Sequence, residues 1–162
     1  MTHILGYVGK INDKDVERLK KEEKFANYSG TSDMGKLGIE RYYEDSLHGV
    51  TGFEEVEINN RGKVIRKLRE QPAVAGKSIH LTIDLELQRY ITELLSGQKG
   101  AIIVLDPKDS GVLAMVSTPS YDNNLFVDGI SSEDYKRLLN DPARPLYSRA
   151  TQGVYPLSLI HI

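Results

Sequence analysis

The sequence predicts an α+β fold in two parts, and three observations carry that prediction. Glu55 to Ile58 alternates in polarity, and a returning run of Val64, Ile65 and Leu68 follows a turn. Leu87, Ile91, Leu94 and Leu95 repeat at helical spacing. Ala101 to Leu105 and Val112 to Val116 are continuous apolar runs on either side of dense turn chemistry. At 162 residues and 40% apolar, the chain has material for one compact domain or two small ones.

Taken in order, Met1 to Gly9 reads as an extended strand or linker. Asn12 or Asp13 caps a helix over 14–24 whose thin stripe, Val16 and Leu19, marks it as a solvated surface helix. Tyr28 to Gly35 has loop composition. A helix over 36–48 follows, with Gly49 as its stop. Asn59-Asn60-Arg61-Gly62 turns the half-buried strand 55–58 into its partner, and Gln71 to Gly76 is a connector. Ile79 to Ile83 is strand-like. Asp84 caps the helix over 84–96, which buries the four residues named above and ends at Ser96-Gly97-Gln98. Ala101 to Leu105 reads as a strand covered on both faces and pairs with 112–116 across Asp106 to Gly111. Ser131 caps a helix with Asp134 three residues on, and Asn140-Asp141-Pro142 ends it.

Composition excludes several classes. Lys plus Arg is 21 against 23 for Asp plus Glu, so there is no concentrated positive face for nucleic acid. The absence of cysteine removes disulfides, thiolate metal sites and a cysteine nucleophile. No apolar run approaches the length of a membrane helix, and the N-terminus lacks the regions of a signal peptide. Because it opens instead in an extended stretch, the chain reads as a piece of something longer.

The local motifs favour structure over chemistry. Gly76-Lys77-Ser78 imitates a phosphate-binding loop, but Gln71 stands where its first glycine belongs. His3, His48, His80 and His161 are scattered without ligand spacing, so no metal is implied. Asp122-Asn123-Asn124 lacks the glycine and glutamate of a calcium loop, and Asn27-Tyr28-Ser29 is a sequon by accident of composition. Serine acyl transfer needs a nucleophile and a base on one helical face, and the chain holds no Ser-x-x-Lys. The nearest arrangement is Ser158-Leu159-Ile160-His161.

Five segments in order nonetheless carry a resemblance. Lys99 to Pro107 with Gly111 to Ser117 resembles the opening hairpin of a penicillin-binding transpeptidase domain, and Thr118 to Phe126 its P-S-Y-D-x-N-x-F stretch. Arg144-Pro145-Leu146 through Arg149 to Pro156 resembles the lead-in to the active-site serine. Upstream, Tyr28 to Gly52 and Asn60 to Ile65 resemble the family's pedestal, or dimerisation, domain. The chain is similar to the elongation-specific class B transpeptidases of the penicillin-binding protein 2 type. The resemblance implies a pedestal over 1–78, a connecting helix region over 79–98 and the start of a transpeptidase domain over 99–156. Its family-motif residues are Pro119, Tyr121, Asp122, Asn124, Arg149, Gly153, Tyr155 and Pro156.

After Pro156 the family continues Pro-Gly-Ser-x-x-Lys. Here Leu159 stands in the place of the nucleophile and Ile162 in that of the lysine, so Leu157 to Ile162 reads as a non-native tail. The parent protein, by resemblance, crosslinks peptidoglycan stem peptides by acyl transfer during rod elongation and is trapped by β-lactams, without a cofactor. It faces the periplasm from an inner-membrane anchor, and its pedestal meets a glycan-polymerising membrane partner and the rod-complex scaffold. This chain is expected to be inactive alone. The alternative is a native, non-catalytic periplasmic interaction module derived from the pedestal. With its sheet incomplete, 99–162 is also expected to be poorly ordered or aggregation-prone in isolation.

Overall fold

The computed structural model describes residues 1–155 and is mixed helix and strand, as the sequence predicts. Its first part contains α1 (Thr2–Leu5), β1 (Val8–Lys10), α2 (Asp13–Lys21), a 3₁₀ turn over Phe25–Tyr28, β2 (Asp33–Gly35), α3 (Gly38–Tyr42) and α4 (Glu44–Leu47). A hairpin of β3 (Phe53–Ile58) and β4 (Val64–Gln71) follows. The second part contains α5 (Leu85–Leu94), β5 (Gly100–Leu105), β6 (Val112–Thr118), a 3₁₀ turn over Asn123–Phe126, α6 (Ser132–Asn140) and α7 (Arg149–Gln152). The strands form three separate antiparallel pairs, β1 with β2, β3 with β4 and β5 with β6.

Two small cores result, one around Leu19, Tyr28 and Met34, the other around Ile91, Ala114 and Val116. The first rests on α2, which begins in a reciprocal capping box: Asn12 accepts from the Asp15 N–H, and Asp15 accepts from the Asn12 N–H. Asp15 also takes a hydrogen bond from Lys36, beside β2. Burial alone pushes the Asp15 carboxyl up, but Lys36 and the cap outweigh it and hold the group below the usual carboxylate range.

Several expectations are corrected. Met1 to Gly9 is not wholly extended, because Thr2–Leu5 turns into α1 before β1. That turn is fixed by close backbone approach: a Cβ on Gly6 would lie 1.8 Å from the Leu37 carbonyl oxygen. The loop 28–35 hides β2, whose register pairs Gly9 with Met34, a distant partner that local composition does not reveal. The helix expected over 36–48 breaks at Tyr43 into α3 and α4. Glu44, just past the break, is held by the Gly35 N–H and the Tyr28 hydroxyl. Gly49 does stop the segment, at a positive φ.

The 55–58 hairpin forms, but it is mostly exposed and its second strand runs on through Gln71. Ile79 to Ile83 makes no regular strand. In α5, Leu87, Ile91 and Leu95 face the second core while Leu94 is exposed. Finally, β5 is not covered on both faces. Ile102 and Val104 lie under α5, whereas Ile103 and Leu105 are exposed.

Candidate functional site

The candidate site is the approach to the residues where the resemblance places a nucleophile. It begins with the β5–β6 hairpin, closed by a turn in which Asp106 accepts from the Lys108 N–H and Asp109 from the Gly111 N–H. Ile91 and Leu87 of α5 pack on Ala114 and Val116. The outer edge of β6 is then sealed. Thr82 donates to the Val112 carbonyl, and the Asp84 N–H donates to that of Leu113. The fully buried Gln88 amide both donates to the Met115 carbonyl and accepts from its N–H, each at 2.9 Å. One side chain thus does what a neighbouring strand would do.

Beyond β6 the chain makes a clasp with the N-terminal region. Pro119 follows a cis peptide bond. The buried Tyr121 ring meets Phe126 edge-on at 5.6 Å and His3 at 5.4 Å, and Phe126 stacks on Tyr7 at 4.3 Å. Thr2 donates to the Tyr121 carbonyl (2.9 Å), and Asn123 to that of Gly6 (3.0 Å). Asp122 shapes the turn by accepting from the backbone and side-chain amides of Asn124. Burial pushes the Tyr7 and Tyr121 phenols up. Burial likewise holds the His3 imidazole below its usual range, although the Pro119 and Pro145 carbonyls oppose it.

The last described helix, α7, is one turn long and would not persist on propensity alone. It is held by Arg149. The Arg149 N–H donates to the buried Ser117 hydroxyl (2.9 Å), and its guanidinium to the carbonyls of Ala143 (2.6 Å) and Arg144 (3.4 Å). Tyr147 closes the turn by donating to the Gln152 carbonyl at 2.6 Å. A Cβ on Gly153 would lie 2.4 Å from both the Arg149 carbonyl oxygen and the Tyr155 ring, so a side chain there would displace one or the other. Tyr155 itself is exposed.

The structure therefore gathers Tyr121, Asp122 and Asn124 at one junction, and Arg149 and Gly153 at another, where the Arg149 N–H meets Ser117 of β6. Pro156, Leu159, Ile162 and the tail 157–162 lie outside the described residues. The assembled groups position backbone. The serines that they include, Ser117 and Ser148, bond to an arginine N–H and to a threonine, not to a base. Sequence reasoning missed Thr2, Gln88, Ser117 and Asn123. Only Gln88 carried a signal, a polar residue next to the apolar face of α5.

Two family models match. Residues 1–81 fit the penicillin-binding protein dimerisation domain, and residues 100–159 the penicillin-binding protein transpeptidase domain. The chain belongs to the penicillin-binding protein family. It is 87% identical over 156 residues to the peptidoglycan D,D-transpeptidase MrdA of Haemophilus influenzae, covering 96% of this chain and 24% of that protein. It superposes on the crystal structure of Pseudomonas aeruginosa PBP2 in complex with WCK 5153 with a TM-score of 0.79 at 43% identity, over 96% of this chain and 30% of that one. PBP2 in its complex with MreC from Helicobacter pylori matches at a TM-score of 0.77 and 30% identity, over 91% of this chain and 26% of that one. The chain thus spans about a quarter of the length of the curated relatives it matches.

Proposed function

We propose that this chain is the pedestal and the opening of the transpeptidase domain of a peptidoglycan D,D-transpeptidase. The observation that carries the reading is the 87% identity, over nearly the whole chain, to a protein of that name. The parent's reaction is acyl transfer: a serine attacks the penultimate D-alanine carbonyl of a stem peptide and expels the terminal D-alanine, and an amine of a second strand then displaces the serine to form the crosslink. In this reading Pro119, Tyr121, Asp122 and Asn124 brace the base of the hairpin against the pedestal. Arg149 and Gly153 then aim the segment that leads to Tyr155. The exposed side of β5 is where the rest of the domain's sheet continues.

The segments are a pedestal over 1–78, a connecting region over 79–98 and the domain start over 99–156. Residues 157–162 replace the native Pro-Gly-Ser-x-x-Lys, with Leu159 and Ile162 in the places of nucleophile and base. The parent faces the periplasm from the inner membrane. Its pedestal engages an MreC-type scaffold, a reading supported by the Helicobacter pylori PBP2 that forms such a complex, and a glycan-polymerising partner.

The test is labelling with a fluorescent penicillin. The 162-residue chain takes no label, and a stable adduct on it would overturn its inactivity. The same chain carried through Pro-Gly-Ser-x-x-Lys and the remainder of the domain is labelled at that serine. Failure of the extended protein to label would overturn the transpeptidase reading.

A further inference from the structure

From Ile58 to Arg69 the chain holds five cations, Arg61, Lys63, Arg66, Lys67 and Arg69, and no carboxylate. The same twelve residues hold four aliphatic side chains, and all are exposed: Ile58 at 59%, Val64 at 50%, Ile65 at 60% and Leu68 at 52%. Ile58 and Val64 are cross-strand partners next to the turn, and Ile65 and Leu68 sit at the two irregularities in the β3–β4 register. The two strands pack chiefly on each other, so these side chains are presented outward. Arg66 and Lys67 are already paired with Glu57 and Glu54, and Arg69 lies 5.4 Å from the Phe53 ring. Arg61 and Lys63, at the tip, stand outside those pairs. The tip therefore combines uncompensated positive charge with adjoining aliphatic surface.

We infer that the tip of the β3–β4 hairpin, Ile58 to Ile65 with Arg61 and Lys63, is a contact for an anionic lipid bilayer. Phospholipid headgroups supply the negative charge, and the boundary of the acyl region receives short aliphatic side chains that water does not favour. A soluble polyanion would satisfy Arg61 and Lys63 but leave Ile58, Val64 and Ile65 in water. An apolar groove would do the reverse, covering the aliphatics while stripping water from two cations. The bilayer surface accepts both. The inference does not depend on the transpeptidase reading, since it uses only the hairpin. It adds a second point of membrane contact to any anchor the parent carries.

The experiment is sedimentation of the 162-residue chain with vesicles of 3:1 phosphatidylethanolamine and phosphatidylglycerol, and with vesicles of phosphatidylcholine, at low and high salt. The chain partitions onto the anionic vesicles, weakly onto the zwitterionic ones, and high salt releases it. The paired substitution R61S/K63S lowers the anionic partition by about 25-fold, at about fivefold for each cation. I58S/I65S lowers it as well, while K14S/K21S on α2 changes it less than twofold. All these positions lie outside the two cores, and far-UV circular dichroism confirms that each variant is folded. Equal partition onto both vesicle types, no partition, or equal losses in the tip and α2 variants would overturn the inference. So would indifference to I58S/I65S, which would assign the tip to a soluble polyanion. The lipid and salt arms decide the matter on the unaltered chain even if a variant is lost.

Discussion

The molecule contains two long hairpins of the same topology with opposite fates. The β5–β6 hairpin buries Ala114 completely beneath α5, and the outer edge of β6 is closed by Thr82, Asp84 and Gln88. The β3–β4 hairpin has comparable strand lengths but no helix over it among the described residues, and Ile58, Val64, Ile65 and Leu68 stay in water. Two-stranded ribbons are marginal alone. The difference lies both in the strands, with seven charged residues in β3–β4 and none in β5–β6, and in what the neighbouring segment brings against them. A single amphipathic helix with one well-placed amide converts a ribbon into a core.

That contrast is broken most strongly from the α5 side. Ile91→Ala removes a side chain packed on Ala114 and Val116 and should cost about 3 kcal/mol in urea unfolding. Gln88→Leu keeps the volume but strands the Met115 N–H and carbonyl, and should cost about 2 kcal/mol. In the first part, Lys36→Met leaves Asp15 without its partner and should cost about 2 kcal/mol at neutral pH. The pH dependence has a defined sign. The folded Asp15 carboxyl lies below its unfolded value, so its contribution is present above the ordinary carboxylate pKa and is lost as pH falls through the folded value. The acid limb of the stability curve should accordingly flatten in Lys36→Met. Asn12→Ala, which removes the cap of α2, should cost about 1 kcal/mol. On the bare hairpin, Leu68→Ala should stay within about 0.5 kcal/mol, because no core is disturbed. A loss there as large as that from Ile91→Ala would abolish the distinction.

Legibility in the sequence followed the same divide. The α5 cap at Asp84, the face of Leu87 and Ile91, both long hairpins and the Ser131 cap are local patterns, and all are present. What the sequence hid was set by distant contacts. β2 exists because β1 pairs with it, α1 because the Gly6 backbone meets Leu37 and Gly38 at the start of α3, and the break at Tyr43 adjoins Glu44, which bonds across to Gly35 and Tyr28. The alternation at 55–58 promised a half-buried strand, and no spacing within the strand states whether a covering element exists. At the candidate site, the motif residues were recognisable by resemblance, yet the groups that complete the junctions, Thr2, Asn123 and Ser117, carried no pattern of their own.

The most direct test compares two amides that face each other across one ladder. Ile103 and Met115 are cross-strand partners in the β5–β6 register. The Met115 N–H points to the outer edge of β6, where Gln88 accepts it, so the pairing places the Ile103 N–H on the outer edge of β5. Native-state hydrogen exchange on the 162-residue chain should find Met115 strongly protected and Ile103 exchanging fast, with Gln88→Leu bringing Met115 to the rate of Ile103. Equal protection of the two amides in the unaltered chain, or a Met115 rate indifferent to Gln88→Leu, would contradict the claim that a helix side chain seals this hairpin.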